Sequence, residues 1–321
     1  MGCSTSGEIQ GAKVLDRTVV VAIMCFERTG VRHALAPIQT ASESRAAGES
    51  LARQLADPDL RSVFILSDGR LVNGSELVAG VNGILPRSVV VTGGLAADGD
   101  RFQRTWVLVD GIPASGHVSA VGLYGDRICV GHGSRGGWDI FGPERVITRS
   151  EGNVLYELDG RPALSLYKEY LGNLVSGLPS TALLFPLAIR TPGVDDQRVR
   201  TILDIDEQAQ AMVFAGDVPM GANAQLMRAN FDRLVQGASD AAAMTSASAD
   251  AGSVLSIAVS CVGRRLVLRQ RIEEELEAVL EVLPQGTQQV GFYSYGELSP
   301  IADGACELHN QTMTLTTLHE R

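Results

Sequence analysis

The chain is poor in lysine and has no concentrated basic stretch. Lys13 and Lys168 are the only lysines among its 321 residues, and the formal net charge is −10. A nucleic-acid-binding protein concentrates Lys and Arg on one surface, and a polybasic membrane anchor clusters them beside the bilayer. The sequence shows neither pattern, so we expect no nucleic acid and no membrane among the partners.

Paired cysteines and long apolar runs are missing as well. The five cysteines, at positions 3, 25, 129, 261 and 306, form no Cys-x-x-Cys pair, which argues against a structural zinc site and a thioredoxin-like motif. Reduced thiols in a cytoplasm are the simplest account, so the sequence predicts a cytoplasmic protein. No secretory apolar region follows Met1. The longest apolar run near the N-terminus, Val19 to Phe26, is too short for a span of about 20 residues.

Common catalytic motifs are also absent from the sequence. There is no Walker A loop, no H-E-x-x-H and no G-x-S-x-G nucleophile elbow. Gly131–Gly136 matches G-x-G-x-x-G, but the following residues, with Gly142 and Pro143, are unsuited to the helix that a dinucleotide site requires. We interpret this stretch as a glycine-rich loop end. The histidines form no close pair suited to a metal, and no metal site is predicted.

Periodicity predicts an α+β protein of two closely packed halves, with mixed, largely antiparallel sheets and flanking helices. Residues 19–92 alternate between strand and helix patterns, and residues 105–158 read as short antiparallel strands separated by Gly-containing turns. The Asp159–Pro162 turn is the best boundary between the halves, 1–160 and 161–321. The specific expectations in the first half are strands at Thr18–Phe26, Ser62–Ser67, Ser88–Thr92, Thr105–Asp110, His117–Tyr124 and Arg127–Val130, and helices over 41–56 and Gly74–Asn82.

The second half follows the same reading. Its longest predicted helix, Arg265–Leu283, has an apolar stripe that includes Leu276, which we expect to be buried against a sheet. The Ala- and Ser-rich stretch 237–253 permits either a helix or a surface segment. The other expectations are helices at Ala163–Leu171 and 222–236, strands at Leu183–Ile189 and Ser253–Ser260, and a hairpin of Arg198–Ile205 with Ala211–Phe214.

Polar side chains concentrate on two strands near the C-terminus, in Gly291-Phe-Tyr-Ser-Tyr-Gly-Glu297 and Leu308-His-Asn-Gln-Thr312. Glu297 and His309 are expected on adjacent strands, where a hydrogen bond between them would fix the imidazole tautomer. Two interpretations stay open: the cluster lines a ligand pocket, or its members satisfy one another and the turn backbone. The predicted ligand-binding set is Cys261, Arg264, Tyr295, Glu297, His309 and Asn310. Arg264 would bind the carboxylate of an amino acid, and Glu297 its ammonium group.

These two strands resemble the C-terminal end of the FIST sensory domain. Gly2-Cys-Ser-Thr-Ser-Gly-Glu8 is similar to the family's GCSTAGE turn, and Thr92-Gly-Gly-Leu-Ala-Ala-Asp98 is similar to its GGLAGD loop. The resemblance covers nearly the whole chain, in order. In the family another strand and helix precede the first turn, so the resemblance implies that this unit is missing here.

The resemblance implies a sensor of small ligands, amino acids among them, rather than an enzyme. A subset of the family resembles haem proteins that sense nitric oxide and act on partner kinases or cyclases. We therefore expect signalling through a partner in trans, such as a histidine kinase or cyclase. Haem is kept as an alternative cofactor. A third hypothesis is a cryptic hydrolase or transferase that uses Cys261 or Glu297.

Overall fold

The computed structural model describes residues 1–193, 197–247 and 253–321. Its first half contains twelve strands and two helices in the following order: β1 (Glu8–Gln10), β2 (Lys13–Leu15), β3 (Gly30–Pro37), α1 (Ser44–Leu55), β4 (Leu60–Ser67), α2 (Gly74–Asn82), β5 (Val90–Leu95), β6 (Val107–Val109), β7 (Ile112–Ala114), β8 (His117–Tyr124), β9 (Ile128–Arg135), β10 (Trp138–Ile140), β11 (Arg145–Glu151) and β12 (Val154–Leu158). A short 3-10 turn, Ala41–Glu43, leads into α1.

The second half adds four helices and eleven strands within the described ranges: β13 (Arg161–Pro162), α3 (Ala163–Leu171), β14 (Leu187–Arg190), β15 (Gln197–Arg200), β16 (Ile202–Asp206), β17 (Ala211–Phe214), β18 (Asn223–Ala229), α4 (Phe231–Met244), β19 (Leu255–Cys261), α5 (Val262–Leu268), α6 (Ile272–Val282), β20 (Gln288–Ser294), β21 (Gly296–Pro300), β22 (Cys306–His309) and β23 (Met313–Glu320). Short 3-10 segments lie at Gly172–Gly177, Ser180–Leu184 and Arg269–Arg271.

Two six-stranded sheets form the body of the protein, and both halves of the chain contribute to each. One sheet has the order β2-β1-β20-β19-β23-β9 and the other β22-β21-β5-β4-β8-β3. The pairs β19–β20 and β4–β5 are parallel, and the remaining pairs of both sheets are antiparallel. The expected α+β class with mixed, largely antiparallel sheets is confirmed.

The sheets pack face to face and helices cover their outer faces. Side chains of β4, such as Leu66, meet Val259 and Phe292 between the two sheets. Helices α1 and α2 cover one sheet, with Leu51 and Leu77 in its outer core. Helices α4 and α6 cover the other. The result is a helix–sheet–sheet–helix stack.

A third, nine-stranded antiparallel sheet lies beside this stack. Its main path is β15-β14-β18-β11-β12-β17-β16, with β10 on β18 and β13 on β12. Helix α3 contributes Leu164 and Tyr167 to its core. Since residues 105–158 supply only antiparallel pairs, the predicted change of pattern after residue 92 is confirmed.

The largest correction to the sequence reading is the expected buried strand at Thr18–Phe26. Residues 18–26 form neither a helix nor a strand and pair with no strand in the described parts of the chain, and Val19, Val21 and Ile23 expose 86%, 71% and 87% of their surface. A β-branched run indicates a strand, but burial also needs a neighbour, which the sequence pattern alone does not supply.

The helix predicted at 222–236 also differs from the structure, because strand pairing overrides local preference in its first part. Residues 223–229 form β18 instead of a helix, since they bond to β14, β11 and β10. The Asn230 side chain then caps α4 by accepting from the backbone N–H of Arg233, so the helix occupies Phe231–Met244. Of the Ala- and Ser-rich stretch, residues 248–252 lie outside the described residues.

The long helix predicted at Arg265–Leu283 is broken. Helix α5 begins earlier, at Val262, and Arg269 takes a positive φ of 49° before α6 begins at Ile272. Leu276 is nevertheless fully buried, as expected from the stripe. The expected strand at Leu183–Ile189 is also shorter, because residues 180–184 form a 3-10 turn.

The Gly131–Gly136 stretch lies largely within β9 rather than in a loop. A Cβ on Gly133 would be 2.0 Å from the carbonyl oxygen of Ala241, so α4 packs directly on the strand backbone there. Packing against α4 and the residue that follows it, Thr245, accounts for Gly133 and Gly131 without a phosphate ligand.

Candidate functional site

A cleft of about 950 Å³ opens between the two six-stranded sheets; we name it the main cleft. Its floor is apolar and comes from β4, β19 and β20. The floor side chains are Phe64, Leu66, Ile257 and Phe292. A polar rim of loops surrounds this floor, and Trp106 forms part of the wall. Such a combination of apolar floor and convergent polar groups is typical of a small-molecule site.

The rim on one side is the Gly2–Glu8 turn, which the body of the protein holds by its backbone. The N–H of Ser4 donates to the carbonyl of Trp106 at 3.0 Å, and the N–H of Ser6 donates to the carbonyl of Tyr293 at 2.8 Å. Gly7 has φ +125°, and a Cβ there would be 2.2 Å from Arg265 Nη1. Glycine is therefore needed both for the turn and for the approach of Arg265.

Glu8 closes this turn against the extended segment that follows β2. Its carboxylate accepts from the Thr5 hydroxyl at 2.6 Å and from the Thr18 hydroxyl at 2.9 Å. Glu8 therefore joins two segments of the rim.

The opposite rim is the loop at residues 98–101, and Asp98 organises it. The buried Asp98 carboxylate accepts the backbone N–H groups of Gln103 and Arg104 at 3.0 and 2.8 Å, together with the Tyr295 hydroxyl. Burial alone would raise the pKa of Asp98, but the hydrogen bonds from Arg104, Tyr295 and Gln103 outweigh burial and lower it. Asp98 is thus a fixed anion in the frame of the loop.

Tyr295 connects this loop to the C-terminal strands. Its ring stacks on Phe102 with the centroids 4.7 Å apart, while its hydroxyl reaches Asp98. Burial, followed by the Asp98 carboxylate, raises the pKa of Tyr295, so the phenol stays protonated and donates. A shift of the loop at 98–101 would therefore be felt at β20 and β21.

Arg265 stands between the main cleft and a neighbouring cavity of about 700 Å³. Its guanidinium donates to the Ser6 carbonyl and pairs with Asp16 at 2.6 Å. Replacement of the exposed Arg265–Asp16 ion pair by a contact between Arg265 and a ligand would cost little free energy, because exposed ion pairs are weak in water. The neighbouring cavity has Leu184 and Leu266 on its walls.

The rim also carries charges of both signs without a protein ion pair. Asp100 and Arg101 are exposed in the main cleft, and neither forms an ion pair with a described residue. Toward the described residues, Arg101 hydrogen-bonds through Nε, which donates to the Asp98 carbonyl at 2.7 Å, and its positive charge also helps to lower the pKa of the Asp98 carboxyl. The Asp100 carboxylate and the terminal nitrogens of Arg101 are therefore available to a ligand.

The structure does not bring the predicted site residues into one pocket, and this expectation is corrected. Arg264, Glu297, Tyr295 and Cys261 are completely or almost completely buried, and none of them lines the main cleft. Arg264 pairs with Glu275 of α6, which the sequence analysis did not select. A buried guanidinium needs a fixed counter-charge, and the chain itself supplies it.

Glu297 is likewise satisfied from within. Its carboxylate accepts the Ser294 hydroxyl at 2.5 Å and the Thr312 hydroxyl and N–H at 2.9 and 3.2 Å. Burial raises the pKa of Glu297 to about 8, although the hydrogen bonds from Ser294 and Thr312 oppose the shift. His309 is its opposite neighbour in the β21–β22 ladder, but the imidazole contacts the Ser299 carbonyl instead, at 3.1 Å.

Cys261 has no access that would suit a nucleophile. It is fully buried at the end of β19, and burial raises the pKa of its thiol well above the ordinary value. A thiolate is the reactive form, so this position offers no support for the hydrolase or transferase hypothesis. Glu297 lies equally deep.

His309 and Asn310 line a separate pocket of about 590 Å³, which we name the hairpin pocket. Asn310 is held in place, because its Oδ1 accepts the N–H of Thr201 at 3.3 Å and its amide nitrogen donates to the His309 carbonyl at 3.0 Å. Arg135 and His132 also face this pocket. A ligand role for His309 and Asn310 stays a prediction.

The side chains around the main cleft suit haem poorly. Among the residues that the structure describes, no histidine lines it and Cys3 is its one lining thiol. Burial raises the pKa of Cys3 to about 12, so that thiol remains protonated. An axial imidazole would have to come from His132 or His309 in the hairpin pocket. Among the described residues, no group of three or more His, Cys, Asp or Glu side chains is arranged to hold a metal ion.

Sequence reasoning quoted the Gly2–Glu8 and Thr92–Asp98 motifs but did not select them as a site. The C-terminal strands drew the choice because polar residues stand out on apolar strands, yet those residues are buried partners of one another. The signal that was available is the run of small residues with Glu8 and Asp98 in two turns.

None of the helices in the described ranges has the length and apolarity of a membrane span.

Two domain profiles match the chain. The FIST N domain matches residues 1–161 and the FIST C domain residues 163–300. The Mycobacterium tuberculosis protein Rv0628c is 26% identical over 330 aligned residues, which cover 98% of this chain and 82% of that protein. The Mycobacterium bovis protein Mb0898c is 25% identical over 328 residues, with 98% and 81% covered. Both are described as uncharacterized proteins.

Proposed function

This chain belongs to the FIST family, whose domains are sensory domains of signal transduction proteins, and from that premise we propose that it binds a small polar metabolite in the main cleft. The main support for this proposal is that three separate segments of the chain meet at one cleft. Residues of the Gly2–Glu8 turn, the 98–101 loop and the Gly291–Phe292 strand line one cleft. These segments are far apart in the chain, and the fold brings them to one rim.

The charge arrangement favours a zwitterion such as an amino acid. Within the cleft the Asp98 and Glu8 carboxylates already accept hydrogen bonds from the protein, whereas the Asp100 carboxylate and the terminal nitrogens of Arg101 are open. Arg101 would bind the ligand carboxylate and Asp100 its ammonium group, in place of the roles predicted for Arg264 and Glu297. Trp106 and Phe64 would pack on its side chain.

A change in the 98–101 loop has a direct route to the C-terminal strands. Asp98 and Phe102 both contact Tyr295, which lies between β20 and β21. A ligand that contacts Asp100 and Arg101 would shift the contact of Asp98 with Tyr295 only if it binds one conformation of the loop more tightly than the other. We propose that the change is passed to a separate signalling protein in the cytoplasm, such as a histidine kinase or cyclase.

Isothermal titration calorimetry with the proteinogenic amino acids as probes tests the proposal. At least one should bind the wild-type protein, and Asp100→Asn with Arg101→Gln should weaken that binding at least about tenfold, the equivalent of roughly 1.4 kcal/mol. The matched control is Asp126→Asn with Arg127→Gln, an exposed Asp-Arg pair in the β8–β9 turn that lines neither the main cleft nor the hairpin pocket.

The same titrations distinguish the main cleft from the hairpin pocket. If Arg135→Gln or Asn310→Ala weakens binding and the Asp100/Arg101 variant does not, the ligand occupies the hairpin pocket and the proposal is wrong. Equal binding by all variants would contradict both locations.

A further inference from the structure

The segment at residues 18–26 has the exposure pattern of a strand that lacks a neighbour, except that Ala22 is exposed on the covered side. Its odd-numbered side chains, Val19, Val21 and Ile23, are largely exposed, and Val19 also lies at the rim of the main cleft. Its even-numbered side chains Met24 and Phe26 pack on the body of the protein, against a cluster at the ends of β8, β9 and β23. This two-residue alternation is that of a strand with one face covered.

Both ends of the segment are fixed. Thr18 is bonded to Glu8 through its hydroxyl and its N–H, at 2.9 and 3.3 Å. At the other end the Glu320 carboxylate accepts the N–H groups of Glu27, Arg28 and Thr29 at 2.6, 2.9 and 2.6 Å. Hydrogen bonds from the Thr29 hydroxyl and these amides outweigh partial desolvation and lower the pKa of Glu320 to about 2, so the anchor stays charged near neutral pH.

Between these anchors the backbone has no partner. Residues 19–26 make no backbone hydrogen bond to any described residue, and most of them are exposed. An exposed edge with apolar side chains is a template for another strand. The nine residues Thr18–Phe26 contain no charge and no proline that would block pairing.

We propose that the 18–26 segment pairs antiparallel with the same segment of a second copy of this chain, about a two-fold axis at Ala22. In that register Val21 lies opposite the partner's Ile23, and Val20 lies opposite the partner's Met24. Every position in the ladder then meets an uncharged residue. A two-fold interface of this kind is the commonest arrangement of homodimers, and strand addition supplies its main-chain bonds.

The flanking charges select this register and direction. With Ala22 on the axis, Arg17 lies opposite the partner's Glu27, and Asp16 lies opposite the partner's Arg28. Parallel pairing in register would place Arg17 against the partner's Arg17, and a two-residue slip would place Arg17 against the partner's Thr29. Arg17 has φ 56°, so the ladder ends at Thr18 and the charged pairs lie just beyond it.

Because the net charge is −10, the match of opposite charges at the two ends of the segment is strong support for a second copy as the partner. Two acidic copies repel each other at most orientations. Arg17 at one end and Glu27 at the other offer opposite charges at the two ends of an apolar ladder, whereas the Asp16 carboxylate already pairs with Arg265 of its own chain. A surface with this pattern fits its own copy better than a partner of a single charge.

Charge exchange tests the register by sedimentation velocity over a range of concentrations. We expect the wild type to dimerise, Arg17→Glu and Glu27→Arg each to raise the dimer dissociation constant at least about fivefold, and the double variant to recover most of the loss. Val21→Lys should abolish dimers, whereas the control Ile112→Lys, also at an exposed apolar side chain, should not. Circular dichroism confirms that each variant is folded.

Cross-linking tests the axis independently. Directly opposite residues in an antiparallel ladder have Cα atoms roughly 4.5–5.5 Å apart, within the range of a disulfide. In a Cys25→Ala background, Ala22→Cys should therefore form an intermolecular disulfide on mild oxidation, and Ile112→Cys should not. A wild type that stays monomeric at all concentrations, or a single charge variant that dimerises as well as wild type, overturns the proposal; a strand from a different protein would give the first of these results.

Discussion

Arg264 donates from Nε and Nη2 to a single oxygen of Glu275, at 2.9 and 2.8 Å, and neither side chain is exposed. The rest of the guanidinium is also bonded, to the carbonyls of Gly136 and Leu234. The other Glu275 oxygen accepts from the hydroxyls of Ser260 and Tyr293. Each guanidinium nitrogen of Arg264 and both carboxylate oxygens of Glu275 therefore have a hydrogen-bond partner. The network joins α4, α5, α6 and the sheet beneath them.

Removal of one member of this buried pair should be costly. Glu275→Ala leaves the guanidinium buried without its counter-charge, so we expect a loss of roughly 3–5 kcal/mol in the free energy of unfolding by urea. The matched control is Glu274→Ala on the same helix, whose ion pair with Arg271 is exposed to solvent and should contribute less than about 1 kcal/mol. Equal effects of the two variants would mean that burial does not control the energy of the pair.

Leu276 tests the apolar stripe of α6. It is fully buried in the core between α6 and the sheet, together with Ile9 and Leu315. Leu276→Ala should lower the free energy of unfolding by about 2–5 kcal/mol, because it leaves a cavity. Val282→Ala, at an exposed position of the same helix, serves as the control and should change stability little. A loss below about 1 kcal/mol at Leu276 would contradict the packing of this helix.

The Glu297 carboxyl should make stability fall as pH rises from about 4.5 to 8. In the unfolded chain it ionises near its ordinary pKa of 4.5, whereas burial keeps it protonated in the folded protein up to about 8. Between these values the folded state binds more protons, so its stability decreases with pH. Glu297→Gln cannot ionise and should lack this part of the slope in chemical denaturation.

Exposed Glu277 provides the control for that series. Glu277→Gln should keep the wild-type pH dependence. The free energy of unfolding of Glu297→Gln should rise relative to that of the wild type from pH 5 to pH 8. A constant difference over this range would show that Glu297 is ionised in the folded protein throughout.

Tyr295→Phe should loosen the 98–104 loop without disturbing the core. The substitution keeps the ring stacked on Phe102 but removes the hydroxyl that donates to Asp98. Hydrogen exchange at the amides of Gln103 and Arg104, which Asp98 also holds, should accelerate. Unchanged exchange there would mean that Tyr295 does not control the loop.

The sequence predicted elements well where periodicity and tertiary packing agree. Helices at Gly74–Asn82 and Ala163–Leu171 lie where the sequence patterns place them. The Asn73 side chain caps the first, and each helix buries an apolar face in a core. Residues 223–229 show the opposite case: their composition favours a helix, but ladder bonds to three strands determine the structure. Register and pairing are properties of distant segments, which local patterns do not contain.

The candidate site shows the same limit more sharply. Glu297 and His309 were correctly placed on neighbouring strands, yet the sequence gives no sign that Ser294 and Thr312 would take up the carboxylate. The counter-charge of Arg264 is Glu275, one of three consecutive glutamates that look alike in the sequence. Only the way α6 faces the sheet distinguishes Glu275 from its neighbours.

Native mass spectrometry of the protein as purified tests the main cleft most directly. Wild-type protein and the Asp126→Asn/Arg127→Gln control should carry a retained small polar molecule, and the Asp100→Asn/Arg101→Gln variant should have lost it. Retention of the same molecule by all three proteins would contradict the main cleft as the binding site. A wild type with no retained molecule that also binds none of the amino-acid probes in solution would contradict the proposed function itself.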